Sequence, residues 1–194
     1  MRSPVRFFRR LALPCRTDVS GWLRNERGAA AIEFAIVAVP LLLFMMGIVG
    51  IGLYFFTGSA LNHGVEAAAR KIRTGEAQKD ALTVGGFKDL VCEEAGSYIN
   101  CNKLRVHIDH GDNWSEISPQ PCVDENNNLI ASTGQAEDEI VDYTGEASQV
   151  VLVTVCYQWD LAQAFSFLKL GTKSDGSGPV VLEASTAFRT EPYS

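Results

Sequence analysis

Two sets of residues have types and spacings that could do chemistry. The first is Gly28 with Glu33, at the head of a long apolar segment. A carboxylate at the edge of an apolar helix in lipid is unfavourable by about 3 kcal/mol unless it is paired or reaches water. Cleavage after Gly28 would create an ammonium on Ala29. That group would lie four residues before Glu33, on the same helix face and about 6 Å away along the axis. It could pair with Glu33 of its own chain or of a neighbour. The plainer reading makes Glu33 an interfacial acid and nothing more.

The second set is Cys92, Cys101, Cys122 and Cys156, all downstream of the apolar segment; Cys15 stands alone before it. An even number of thiols in an exported domain reads as two disulfides. Cys92 and Cys101 are close in sequence, so that pair would bridge a helix end to the first strand. Cys122–Cys156 follows by elimination and would tie a long loop to the central strand. No Cys-x-x-Cys pair exists, and His63, His107 and His110 lack zinc-ligand spacing, so no metal and no cofactor are expected. Asp124, Asn126 and Asn128 open like a calcium loop. The sixth position is Leu129 rather than Gly and the twelfth is Gln135 rather than Glu, so the pattern fails and a solvated loop is expected. The chain has no phosphate-binding glycine loop, no His-Glu-x-x-His and no Gly-x-Ser-x-Gly. Catalysis and a small-molecule substrate are therefore not expected.

The segment that must position these groups runs from Phe34 to Phe56, twenty-three residues without a charge. A bilayer core needs about 20 apolar residues in a helix. Residues 1–28 precede it with seven Arg against Asp18 and Glu26. Residues 29–194 hold ten basic and twenty-one acidic groups. The positive-inside rule then puts the N-terminus in the cytoplasm and the C-terminal part outside, with a single pass through the membrane. The acidic bulk argues against nucleic acid as a partner. The helix is expected to continue past the membrane to Thr74, about 70 Å in all, because Leu61, Val65, Ala68 and Ile72 make an apolar stripe at helical spacing. Pro40 is expected to kink it. Gly47, Gly50, Gly52 and Gly58 read as transmembrane composition or as sites of close helix approach.

Beyond Gly75 the pattern predicts a short helix over Val84–Ala95 and a half-buried strand over Leu104–Asp109. An excursion over 110–149 follows, then a central strand over Val150–Trp159, apolar on both faces. A short helix or packed loop is expected over Leu161–Leu170, a turn over Thr172–Gly178 and a last strand over Val180–Arg189. The fold class is α+β: a long N-terminal transmembrane helix extending into the periplasm, packed on a small antiparallel sheet and stapled by disulfides. Three parts are expected: a basic leader over 1–28, the helix over 29–75 with its span at 34–56, and a periplasmic domain over 76–194.

A glycine before a cut and a glutamate at mature position five are the arrangement of type IV prepilins. More narrowly, RGAAAIEFAIV, Pro40 and the AAARKIRTGEAQ tail resemble the TadE-like segment of the tight-adherence (Tad/Flp) pilus system. VVLVTVCYQWDL and AFRTEPY are similar to later parts of long TadE proteins. The resemblance implies a minor, pilin-like pseudopilin needed for pilus assembly. Its processing residues would be Gly28, Ala29, Glu33 and Phe34. Its partners would be the inner membrane, a prepilin peptidase, other Tad pilins and pseudopilins, and the inner-membrane assembly platform. The chain differs from major type IV pilins in Ala29 where they have Phe, and has Phe34 where Tad substrates often have Tyr. The alternative is an uncleaved, membrane-anchored periplasmic binding or envelope-interaction protein.

Overall fold

The computed structural model describes residues 28–171, 173, 175, 176 and 178–192. The basic leader up to Arg27, with Cys15, lies outside the described residues, as do parts of the expected turn over Thr172–Gly178. Helix α1 spans Ala29–Arg73, one residue shorter than its apolar stripe predicts, and runs through Pro40. Short α2 (Glu76–Lys79) and then α3 (Val84–Ala95) follow. Thr83 caps α3 by accepting a hydrogen bond from the Gly86 N–H at 3.0 Å, the usual way to satisfy a free helix-start donor. At the other end the Gly96 N–H donates to the carbonyls of Cys92 and Glu93.

The sheet has three antiparallel strands in the order β1-β2-β3. They are β1 (Leu104–Gly111), β2 (Val150–Gln158) and β3 (Val181–Arg189). Val155 faces Val106 on one side and Ala184 on the other, which fixes the register. The central place of β2 follows from its composition, since an all-apolar strand needs cover on both faces. The chain forms two compact units, divided within α1 between Phe44 and Met45.

In the second unit one face of the sheet presents Val151, Val153, Val155 and Tyr157, together with Leu104, Val106 and Ile108. These join a single apolar cluster with Leu61, Val65, Ala68 and Ile72 of α1 and Phe87, Val91 and Ala95 of α3. The α1 stripe is therefore core. Each fully buried Val, Leu, Ile or Phe among them contributes about 1.5–3 kcal/mol.

The opposite face of β2 is buried as well: Val150, Leu152, Thr154 and Cys156 are all inaccessible or nearly so. Its cover is the excursion, which is far from a free loop. Cys122 is joined to Cys156, with Cα atoms 5.6 Å apart. The stretch at Ser132 and Thr133 runs along the outer edge of β1. The Val106 N–H donates to Ser132 Oγ at 3.0 Å, and the Thr133 N–H to the Val106 carbonyl at 2.9 Å. A four-residue helix, α4 (Val141–Thr144), completes the excursion. This cover corrects one expectation. The half-buried strand expected over Leu104–Asp109 leaves its Arg105–His107–Asp109 side open, yet His107 is buried there.

Candidate functional site

In the first unit, Gly28 forms the turn before α1, and its carbonyl accepts the Ile32 N–H at 3.2 Å. Ala29 is the first helical residue, and Glu33 and Phe34 follow in the second turn. Both are exposed, Phe34 at 75%. So are Ile36, Val37, Leu41, Leu42 and Phe44, among others. An apolar surface of that extent marks a membrane or interaction face. By length and composition α1 is a candidate membrane span near the N-terminus, and it is the one such helix among the described residues. Glu33 is the one acid in the sequence between Gly28 and Glu66.

In the second unit, the lower part of α1 is sheathed by residues far along the chain. Residues Asp160–Leu168 form a 3-10 segment broken at Phe165. A Cβ placed on Gly50 would stand 2.7 Å from a ring carbon of Phe165 and 2.9 Å from Leu168 Cδ1. Gly50 is therefore a site of close approach, but to the chain's own segment rather than to another transmembrane helix. Tyr54 meets Trp159 edge-on with ring centroids 5.7 Å apart, and Trp159 stacks parallel to Phe165 at 6.4 Å. Lys103 pairs with Asp160 at the start of the segment. The sequence reads this stretch only as a short helix or packed loop. Its Leu-x-x-x-Phe-x-Phe-Leu pattern marks an apolar element but carries no sign of which neighbour it covers.

Cys92 and Cys101 are joined, with Cα atoms 5.7 Å apart, and hold the end of α3 to the turn before β1. Both pairs are those the spacing proposes. The excursion is knit by its own carboxylates. The Asp138 carboxyl is held below its ordinary value because it accepts from the Gln135 N–H and from the Tyr143 hydroxyl, each at 2.7 Å. Asp124 is lowered first by the Asn128 N–H, and it accepts from Asn126 as well. Its hydrogen bonds thus close a turn on the loop itself. Glu116 is lowered by the Asn113 side chain and by the N–H groups of Asp112 and Asn113. Among the described residues no three His, Cys, Asp or Glu side chains gather as a metal site. A cleft of about 780 Å³ lies beside the 3-10 segment, lined by Asn128, Gln158, Trp159, Asp160, Gln163 and Lys169. Its walls bring together amides, the acids Asp160 and Asp175, the Ser166 hydroxyl and the cation Lys169.

These features define an α+β domain stapled by two disulfides and carried on a long apolar helix. The model of the TadE-like protein family matches residues 28–70. That stretch takes in Gly28 and nearly all of α1. No curated protein and no solved structure gives a match.

Proposed function

We propose that the chain is a minor pseudopilin of a Tad-type pilus, cut by a prepilin peptidase after Gly28. The observation that carries this reading is a coincidence of two boundaries with a lone acid just beyond them. The TadE-like match begins at Gly28, helix α1 begins at Ala29, and Glu33 is the lone acid on the exposed apolar surface that follows. In this reading the leader, with its net positive charge, holds the N-terminus at the cytoplasmic face until cleavage. Removing it leaves residues 29–194, with ten basic against twenty-one acidic groups, and a new ammonium at Ala29. The domain lies on the periplasmic side of the inner membrane, where two disulfides are favoured. Its partners are the peptidase, other Tad pilins and the assembly platform, and the chain is an assembly subunit rather than an enzyme.

N-terminal sequencing of the protein purified from cells that make the pilus tests the reading. A start at Ala29 is expected. An intact leader in piliated cells would overturn it in favour of a permanently anchored envelope protein.

A further inference from the structure

The 3-10 segment Asp160–Leu168 and the two residues after it have a three-residue period in both chemistry and exposure. Residues three apart share a face within each turn of such a helix, and the exposure keeps that period across the break at Phe165. Ala162, Phe165 and Leu168 pack inward with the apolar cluster around α1. Asp160, Gln163, Ser166 and Lys169 are the polar row. The third row is Leu161, Ala164, Phe167 and Leu170, and all four side chains are exposed, Leu161 by 51% and Phe167 by 46%. An apolar row held open beside a polar row is the pattern of an element lying in a membrane interface.

Its height along α1 decides the matter. Leu168 and Phe167 stand 3.9 and 4.0 Å from where a Cβ of Gly47 would be, and Phe165 closes on Gly50. Gly47 lies nine residues before Phe56, the end of the uncharged run, which is about 14 Å along a helix. A span of about 20 residues counted from Phe34 still ends at Leu53, leaving Gly47 about 9 Å inside. A segment fixed at Gly47 and Gly50 cannot stay in water while that part of α1 lies in lipid.

We propose that residues 160–170 form a foot that sits in the outer leaflet, with Leu161, Phe167 and Leu170 among acyl chains and Lys169 reaching toward the headgroups. The inference rests on the reading of α1 as a bilayer span. It makes the domain's attachment two-point, through α1 and the foot, so the domain cannot swing freely about the helix. Long cationic side chains at such a boundary extend their charge to water while their stems stay in the apolar layer.

The test uses the full chain carrying Cys15→Ser, reconstituted into vesicles of phosphatidylethanolamine and phosphatidylglycerol. A nitroxide is attached at one of Leu161→Cys, Phe167→Cys, Leu170→Cys, Phe44→Cys or Trp114→Cys, after both native disulfides are verified by non-reducing electrophoresis. Collision with oxygen, which concentrates in lipid, is compared with collision with a water-soluble nickel chelate. The oxygen-to-nickel ratio at positions 161, 167 and 170 is expected to be several-fold above that at 114 and close to that at 44. Nickel-dominated labels on the foot with a lipid-like label at 44 would overturn the foot and leave the span intact. A nickel-dominated label at 44 would overturn the span, and the foot with it. Labels on the foot shielded from both reagents would mean that protein covers the row, which also overturns the proposal.

Discussion

Gly64 of α1 lies so close to α3 that a Cβ on it would stand 2.9 Å from Ala95 Cβ and 2.5 Å from the Val91 carbonyl oxygen. The obstacle is backbone and a methyl group, neither of which can swing away. Gly64→Ala is therefore expected to push the two helices apart and cost about 1–3 kcal/mol, the usual penalty of overpacking. The gain in helix propensity from alanine, about 1 kcal/mol, offsets part of this and leaves a net cost of up to about 2 kcal/mol. Thermal unfolding of the full chain in detergent, followed by near-ultraviolet circular dichroism, reads the effect. An unchanged midpoint would mean the crossing is loose. Val65, one residue on and buried in the same cluster, gives the companion test: Val65→Asp should unfold the domain, not merely weaken a partner contact.

The contrast between these helices and the rest shows what the sequence makes legible. The spacing of Leu61, Val65, Ala68 and Ile72 and the run VVLVTVC announce α1 and β2, because burial imposes a period on residue type. The excursion over 110–149 announces only polarity. Its order comes from side-chain oxygens that replace strand partners, Ser132 and Thr133 on β1, and from Asp138 and Asp124 closing local turns. Serine, threonine and aspartate bonded to nearby backbone look the same in sequence as solvated ones. The burial of His107 was hidden for the same reason. The two cysteine pairs were legible because cysteine is rare and one pair is close in sequence, whereas the role of Gly28 and Glu33 rests on the proposed processing. The foot was not legible, because a contact with Gly50 more than a hundred residues away leaves no local period.

The two disulfides should differ in worth. Cys92–Cys101 closes a separation of nine residues and Cys122–Cys156 one of thirty-four. Chain-entropy estimates give about 3 and about 4 kcal/mol. Cys122→Ser with Cys156→Ser should thus lower the melting midpoint more than Cys92→Ser with Cys101→Ser. It should also free the cover over the second face of β2. Amide exchange in β1 and β2 should rise in the first variant and stay slow at those strands in the second. Equal protection in the two variants would show that the cover holds without its staple.

Stability should fall on acidification in two stages. Burial holds the His107 imidazole below its ordinary value of 6.5. The unfolded chain then takes up a proton that the folded chain resists. The contribution is full above about pH 6.5 and is lost as pH falls toward the folded value. Asp138, Asp124 and Glu116 act lower, since hydrogen bonds depress their folded values below 3.8, 3.8 and 4.5. Their stabilisation is present above those ordinary values and lost as pH falls through the depressed ones. All three are open to water, so each share is small. Urea midpoints in detergent should drop between pH 7.5 and 5.5 in the wild type, and His107→Leu should flatten that interval alone. A wild-type midpoint that does not move above pH 5 would exclude the histidine.

Glu33 should matter after cleavage rather than for it. Prepilin processing needs a small residue before the cut, so Gly28→Leu should leave the 28-residue leader attached and its arginines at the cytoplasmic surface. Glu33 is exposed on α1, four residues from the amine that cleavage would create at Ala29, one helical turn away. A carboxylate there is tolerable in an apolar setting when an ammonium is near, and in an assembling pilus a neighbouring subunit's Ala29 amine can supply it. Glu33→Gln and Glu33→Leu should both be processed, at full or moderately reduced rate, yet be taken up poorly into pili. Leucine makes the helix more apolar and favours membrane residence, so a defect in that variant cannot come from failed insertion. Immunoblots for the mature form, set beside counts of sheared pili, separate the two steps. Normal piliation by a processed Glu33→Leu chain would remove the pairing role and leave Glu33 an acid at a membrane edge.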